Sequence, residues 1–315
     1  MLKKIACISA PLLLGLSAHA ADFFQDGKLR PINAGERIVA TDTIGGYPIF
    51  QDDGRWVFVS GREWSSSGGI KMGSVLLDYS QGNYLLARQS VTATVDPGGA
   101  NSAWAGTPCS PEHLYLRNLG KGRQDNCMTI DPKIISLGTT PTLFLNVVLT
   151  NTGSNGRYYV VSLYVNADLL GVRSTGLGDW TQDELKAKPY KKDALDRLVK
   201  WAEPLQDGSI RAFDYTKPQD VYAQIPSLMT LLPVPEDLVG KKRSISFLSA
   251  LEHLRHQSDF KSIAYAHHED YKGTWNFVVG QSSQDIADAT ALANCEDNRK
   301  RNRPDAPACT VYRLH

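Results

Sequence analysis

The chain has 315 residues, of which 42% are hydrophobic, with 34 Lys and Arg against 33 Asp and Glu. The near balance of charge excludes a general electrostatic attraction to nucleic acid or to acidic membranes. A chain of this length and apolar content can bury a substantial core, and it allows one large domain or, as we expect here, two.

Residues 1–20 have the features of a secretory signal peptide. Two lysines near the start precede an apolar core at 8–16, and Ala18 and Ala20 form a small-x-small cleavage site. The apolar run is shorter than the roughly 20 residues that span a bilayer. We therefore expect cleavage after Ala20 and an exported chain, periplasmic or secreted, without a transmembrane segment. Loss of the two lysines leaves 32 basic against 33 acidic residues, a net charge of −1.

The next predicted unit, residues 21–177, is an antiparallel β domain. Three pairs of β-rich runs flank turn-forming segments at 51–54, 80–83 and 151–156. Each pair has the pattern of a β-hairpin, and strong helical periodicity is absent from the sequence between them. This pattern predicts an antiparallel sheet that is folded into a sandwich or an open barrel.

Four cysteines follow the predicted signal peptide, and an even number in an exported chain indicates disulfide bonds. The close sequence pairs favour Cys109–Cys127 and Cys295–Cys309 among the three connectivities that four cysteines allow. Each bond would close a loop of roughly 15 residues and stabilise the fold by roughly 3 kcal/mol in the chain-entropy model. The alternative is a metal site made of all four thiolates, but the sequence lacks the Cys-x-x-Cys pairs that zinc sites favour.

Residues 178–257 are predicted to form a helical connector that packs on the sheet. A capping-box pattern at Thr181 begins the first helix, and apolar residues then recur at helical spacing until Pro204. A second helical candidate spans 218–232, and a third spans 244–256, where leucines and an isoleucine recur every three residues.

The last unit, residues 258–315, has the pattern of two strands, a helix and a final strand, a small α+β unit of ββαβ order. Ser282 or Ser283 can cap the helix. The apolar side of the helix is predicted to comprise Ile286, Ala289, Leu292 and Ala293. A disulfide between Cys295 and Cys309 would tie the helix end to the last strand. The three units together predict an α+β protein.

A distinctive residue pattern runs through the C-terminal unit. It combines an Ala-Ile-Ala-Tyr-like strand, a Gly-Trp-like strand, a Ser-x-x-x-Ala-x-x-x-Ala-Leu-x-x-Cys helix and a Cys-x-Val-Tyr-like strand. The residues that carry it are Ile263, Ala264, Tyr265, Gly273, Trp275, Ser283, Ala287, Ala291, Leu292, Cys295, Cys309, Val311 and Tyr312. The pattern resembles a small domain of unknown function in secreted bacterial proteins, with a longer insert between the cysteines. This resemblance covers under a fifth of the chain. It implies a periplasmic or secreted protein and no particular activity.

Histidines are the first candidates for a functional site. His253 and His256 are three positions apart on a predicted helix, and His267, His268 and Glu269 lie in the turn that follows the next strand. If the helix end lies against this turn, these side chains could bind a metal ion. The alternative is a solvated hairpin beside two surface histidines, because adjacent strand residues point to opposite faces. Beyond this candidate metal site, the sequence indicates no cofactor.

Tryptophans are the second candidates. Trp64 and Trp104 border Ser- and Gly-rich loops, where such rings can stack on sugars or peptides, whereas Trp56 has the position of a core residue. The loop between Cys109 and Cys127 can act as a binding surface or as a purely structural link. The sequence contains neither a Gly-x-Ser-x-Gly elbow nor a complete P-loop, so catalytic residues remain unassigned.

These observations predict a non-enzymatic envelope or secreted protein that binds an unidentified envelope or extracellular partner through its β domain. The first alternative is a hydrolase that acts on an envelope or extracellular polymer, with its site in the cleft between the units. The second alternative is a periplasmic metal-binding protein that uses the histidines. The balanced charge argues against nucleic acid as the partner.

Overall fold

The structure, a computed structural model, describes most of the chain after residue 20. The described residues are 21–39, 41–52, 55–66, 69–82, 84–96, 109–121, 125–137, 140–153, 156–173, 176–214, 221–241, 243–267 and 273–314. The expected signal peptide lies outside them. Within these ranges, no helix combines the length and the apolar character that crossing a membrane requires.

A seven-stranded antiparallel sheet forms the N-terminal part of the fold. Two short hairpins precede it, with strands β1 (Phe24–Gln25), β2 (Lys28–Leu29), β3 (Thr43–Ile44) and β4 (Tyr47–Pro48). The sheet itself comprises β5 (Trp56–Ser65), β6 (Lys71–Gln81), β7 (Tyr84–Asp96), β8 (Tyr115–Asn118), β9 (Asn126–Leu137), β10 (Thr140–Thr152) and β11 (Tyr158–Asn166). The order across the sheet is β5-β6-β7-β11-β10-β9-β8, and each neighbouring pair is antiparallel.

The antiparallel sheet agrees with the sequence prediction. The second and third predicted hairpins are β6–β7 and β10–β11. The first predicted hairpin is wrong, because β4 pairs with β3 and not with β5. The large sheet is unclosed. Its inner face packs on helical segments and short hairpins and not on a second large sheet, which differs from the sandwich, one of the two arrangements predicted beside an open barrel.

Helical segments after β11 cover the inner face of the sheet. They are the 3-10 turns Ala167–Leu170, Leu177–Trp180, Leu228–Leu231 and Glu236–Leu238 and the helices α1 (Gln182–Ala187), α2 (Pro189–Asp214) and α3 (Ile245–Arg255). The predicted cap is present, since the Thr181 hydroxyl accepts a hydrogen bond from the Glu184 amide at 3.2 Å. Contrary to prediction, α2 continues through Pro204, because buried residues such as Leu205 and Ala212 extend its apolar stripe. This stripe packs on β9 and β10, so a long helix occupies the place of a second sheet.

The prediction of a helix over 218–232 is wrong for the residues of this segment that the structure describes. Residues 221–232 form turns and one 3-10 turn. The segment is held to α2 because the Trp201 indole nitrogen donates a hydrogen bond to the Pro226 carbonyl oxygen at 2.9 Å. Pro226 cannot donate a backbone hydrogen bond itself, which disfavours a continuous helix at this position.

The C-terminal part follows the predicted order of two strands, a helix and a strand. Its elements are β12 (Phe260–Ala266), β13 (Thr274–Gln281), α4 (Gln284–Asn302) and β14 (Thr310–Tyr312), and the sheet order is β13-β12-β14. Side chains of one face, including Ile263 and Tyr265, join the main core beside α3. The opposite face, with Ala264 and Ala266, packs on α4.

The predicted apolar side of α4 is wrong. Ala287, Ala291 and Cys295 are its buried residues, whereas Ile286 and Leu292 are exposed. The buried positions are four residues apart and carry small side chains, so the helix can lie close to the alanines of β12. The Ser283 hydroxyl caps the helix, as one of the two predicted candidates.

Two disulfide bonds join the predicted cysteine pairs. Cys109–Cys127 ties the segment before β8 to β9, with a Cα–Cα distance of 5.9 Å. Cys295–Cys309 ties α4 to the residue before β14, with a Cα–Cα distance of 6.1 Å. Both distances lie in the usual range for disulfides. All four cysteines are therefore bonded in pairs, which leaves the four-thiolate metal site without ligands.

Candidate functional site

A pocket of about 460 Å³ lies where the large sheet meets the C-terminal sheet. The ends of β7, β10 and β11 form one side, and the turn after β11, α3 and β13 form the other. The side chains that define this junction pocket are Tyr84, Thr142, Asp168, Arg173, His253 and Phe277. Its lining therefore brings together opposite charges, hydrogen-bonding groups and an aromatic ring.

A larger groove, of about 640 Å³, lies beside β12, α4 and the C-terminal residues. Three of its four charged lining residues are already bound to one another or to the backbone. Arg313 pairs with Asp288 at 2.5 Å, and the Lys261 ammonium donates to the Gln257 carbonyl oxygen. A ligand would have to displace these contacts, so the junction pocket is the stronger candidate.

The end of β11 positions the acidic group of the junction pocket. Asn166 caps the turn Ala167–Leu170, because its Oδ1 accepts a hydrogen bond from the Asp168 amide at 3.0 Å. Its Nδ2 donates to the Leu85 carbonyl oxygen on β7 at 2.8 Å. This buried amide links the turn to the neighbouring strand, so Asp168 is held beside Tyr84.

Tyr84 and Asp168 form the first polar pair of the pocket. The Tyr84 hydroxyl donates a hydrogen bond to Asp168 Oδ2. Burial and, after it, the negative charge of Asp168 raise the pKa of Tyr84 above its ordinary value. The hydroxyl therefore remains protonated at neutral pH, and one carboxylate oxygen of Asp168 is occupied by it.

Arg173 supplies the positive charge. Its guanidinium carbon lies 5.7 Å from the Trp275 ring centroid and 5.2 Å from the Phe277 ring centroid. Cation–π contacts of this kind are worth about 0.5–1 kcal/mol at exposed sites. Within the described part of the chain, no carboxylate lies at ion-pair distance from Arg173. Its hydrogen-bond donors are therefore available to a ligand.

His253 contributes a neutral ring from α3. The Gln257 amide nitrogen lies 3.3 Å from His253 Nε2 and donates to it, and the ring contacts Phe277 edge-on at 6.4 Å between centroids. Burial and, after it, Arg173 and His256 lower the pKa of His253, with a smaller opposite effect from Asp168. His253 Nδ1 is buried without a hydrogen-bond partner among the described residues.

The lowered pKa predicts a loss of stability in acid. Below about pH 6.5, His253 takes up a proton in the unfolded chain before it does so in the folded protein. The stability of the wild type should therefore fall as the pH drops through the pKa of folded His253, and the fall should be smaller in His253→Gln. Urea denaturation at about pH 7.5 and about pH 5 measures it; equal losses in both proteins would contradict this account.

The structure separates the predicted metal ligands. His256 stacks on Tyr190 at 4.6 Å between centroids and lies 3.2 Å from a Glu252 carboxylate oxygen. His267 lies 2.8 Å from an Arg243 guanidinium nitrogen. His268 and Glu269 are outside the described residues. In the described ranges, His, Cys, Asp and Glu side chains do not form a group of three or more that could hold a metal ion. Metal binding by the predicted set remains a prediction.

The candidate tryptophans lie away from the pocket or outside the described residues. Trp64 is 37% exposed on β5, and the Arg62 guanidinium carbon lies 5.0 Å from its ring centroid. Trp104 lies outside the described residues. Trp56 is fully buried, as predicted for a core position.

Sequence reasoning found one pocket residue, His253, and missed Tyr84, Asp168, Arg173 and Phe277. The Asn166 cap was a usable signal, because Asn followed two positions later by Asp at a strand end predicts a capped turn. The pairing of Tyr84 with Asp168 spans 84 positions. Only the order of strands β7, β11 and β10 brings them together.

Comparisons with known proteins leave the family open. No protein-family model matches the chain, and no curated protein does. The solved structures include a protein from Bacteroides thetaiotaomicron VPI-5482, determined by crystallography at 1.50 Å. It is 10% identical, with a TM-score of 0.20 over 83% of this chain and 99% of that chain. A TM-score of this size supports no statement about fold or function.

Proposed function

We propose that the protein is an exported, non-enzymatic binding protein that holds a small ligand in the junction pocket. The observation that carries this proposal is the pocket itself. Its volume of about 460 Å³ lies within the range of about 300–1,000 Å³ typical of small-molecule sites. Apolar walls from Leu143 and Phe277 surround a few polar groups, a combination that gives both affinity and orientation.

Export is supported by the cysteines. Both disulfides are compatible with an oxidising compartment, and the sequence start has the pattern of a signal peptide. The resemblance of the C-terminal unit to a domain of secreted bacterial proteins, which is an expectation from the sequence, points to the same location. We propose a periplasmic or secreted location on these grounds.

Each of the three units predicted from the sequence is proposed to supply a different wall of the junction pocket. Residues 21–177 supply the sheet wall, 178–257 supply α3 with His253, and 258–315 supply the Phe277 wall. A ligand at this junction would contact all three units. The binding partner is thus proposed to meet the β domain together with its neighbours, and not the β domain alone.

A hydrolase finds less support in the same pocket. Glycosidase-type hydrolysis uses two carboxyl groups on either side of the scissile bond. Among the described residues that line the pocket, Asp168 alone has a carboxylate, and Tyr84 occupies one of its oxygens.

A metal-binding function is tested separately by metal analysis of protein purified without a His tag. Bound zinc, nickel or copper at one equivalent would establish it.

Filling the pocket is expected to abolish ligand retention. Thr142 is half-buried on β10 and lines the cavity, so the indole of Thr142→Trp would occupy it. Purified protein is incubated with the small-molecule fraction of an envelope extract, washed and denatured, and the released compounds are identified by mass spectrometry. We expect at least about tenfold less of the retained compound in Thr142→Trp, which corresponds to about 1.4 kcal/mol of binding free energy.

Ser60→Trp is the matched control. Ser60 is an exposed residue of β5 in the same sheet, so the substitution adds the same side chain away from the pocket. It should retain as much compound as the wild type. Equal retention by Thr142→Trp and Ser60→Trp, or no retention by the wild type, would refute the proposed site.

A further inference from the structure

Two opposite charges share the junction pocket without pairing with each other. Asp168 and Arg173 both line it. Both are close enough to influence Tyr84 and His253 electrostatically. Nevertheless, no ion pair joins these two described residues. Each of the two groups makes other contacts instead.

Separate contacts hold the two charges apart. Arg173 lies over the rings of Trp275 and Phe277, and these two cation–π contacts compete with a surface ion pair, which is typically worth about 0–1 kcal/mol. Asp168 is held by the Tyr84 hydroxyl at Oδ2 and by the capped turn that contains it. Its Oδ1 accepts no hydrogen bond from a described residue.

We infer that the ligand is an amphoteric amino compound, a free amino acid, whose carboxylate binds Arg173 and whose ammonium group binds Asp168. This inference rests on the proposed function of the junction pocket. A guanidinium presents a planar fork of N–H donors that matches a carboxylate in bidentate fashion. The free Asp168 oxygen is an acceptor for an ammonium group. The apolar wall of Leu143 and Phe277 faces the remaining side chain of the ligand.

The neutral state of His253 agrees with this assignment. With His253 uncharged, the lining carries one positive and one negative group among its described residues. A ligand with a single charge would satisfy one group and leave the other without a counter-charge. A neutral sugar would leave both without one. An amino acid provides a counter-charge for both groups at once. It should therefore bind more tightly than a singly charged ligand or a neutral sugar.

Binding of the twenty standard L-amino acids tests the inference. Titration calorimetry on the wild type identifies the tightest binder, and its N-acetyl and amide derivatives are then compared with it. Blocking either end should weaken binding at least tenfold. Arg173→Gln should bind the acid and the amide within about threefold of each other. Asp168→Asn, which can still accept the Tyr84 hydrogen bond, should bind the free amine and its N-acetyl form within about threefold.

Arg62→Gln is the matched control, because Arg62 also lies over a tryptophan ring but is remote from the pocket. It should bind like the wild type. Blocked derivatives that bind as well as the free amino acid would overturn the inference. So would the absence of any amino acid binding, even if an extract compound is retained by the wild type and lost in Thr142→Trp. Retention that is lost in Thr142→Trp, without amino acid binding, would leave the proposed function intact. Equal retention of the extract compound by the wild type and Thr142→Trp would refute the proposed function itself.

Discussion

Phe247→Ala is expected to lower the free energy of unfolding by about 3–5 kcal/mol, the usual cost of deleting a large buried aromatic side chain. Phe247 is 2% exposed on α3. Its ring centroid lies 5.1 Å from that of Tyr265, 6.5 Å from Trp275 and 6.3 Å from Tyr312. These three rings belong to the C-terminal sheet, so the truncation would open a cavity between α3 and that sheet. Urea denaturation measures the loss.

Phe260→Ala provides the matched control within the same unit. Phe260 is 49% exposed at the start of β12, so its truncation should change stability by no more than about 0.5 kcal/mol. Equal losses in the two variants would mean that α3 does not hold the C-terminal sheet in place. Phe247→Ala should also weaken ligand retention, because β13 supplies the Phe277 wall of the junction pocket.

Gly171→Ala is expected to cost about 2–5 kcal/mol in unfolding free energy. Gly171 ends the turn that carries Asp168 and has a φ of 72°, a conformation that costs about 1–2 kcal/mol for a residue with a Cβ atom. An added Cβ would also lie 2.3 Å from Glu252 Cγ and 2.8 Å from Glu252 Cβ. These atoms are close to the α3 backbone, so the turn and the helix must move apart, at about 1–3 kcal/mol.

Gly240→Ala separates the two contributions. Gly240 has a φ of 76°, but an added Cβ would meet no atom within 4 Å. Its replacement should therefore cost only the conformational part, about 1–2 kcal/mol. A matching cost for Gly171→Ala in urea denaturation would show that the turn and α3 are not in close contact. The expected larger loss would be accompanied by weaker ligand binding, because Asp168 and His253 lie on the two elements that separate.

Local signals in the sequence were sufficient for much of the secondary structure. The Thr181 and Ser283 caps depend on hydrogen bonds within one turn, and the cysteine pairs are close along the chain. The β6–β7 and β10–β11 hairpins likewise join neighbouring segments. Patterns of this kind are readable because the partners are few residues apart.

The errors arose where tertiary packing outweighed a local pattern. α2 passes through Pro204 because its buried stripe continues on the sheet, and this burial outweighs one missing backbone hydrogen bond. On α4, the large residues Ile286 and Leu292 suggested the buried side, whereas close packing on β12 requires the small Ala287 and Ala291. Size complementarity across two elements cannot be recovered from one of them.

Most of the junction pocket could not be predicted from the sequence, because it too depends on packing between distant elements. Its members come from β7, β10, the turn after β11, α3 and β13. Arg173 has no motif around it, and its position depends on the rings of Trp275 and Phe277, about one hundred residues later. The strand order of the large sheet and the docking of the C-terminal sheet create the site.

Hydrogen–deuterium exchange tests most directly whether the junction pocket is the ligand site. Exchange of the wild type is compared with and without the small-molecule fraction of an envelope extract, with Thr142→Trp as the blocked reference. We expect slower exchange at 84–86, 166–173 and the segment around Phe277 in the wild type, and no change in Thr142→Trp. Protection confined to the surface around Trp64, or the same protection in both proteins, would contradict the account.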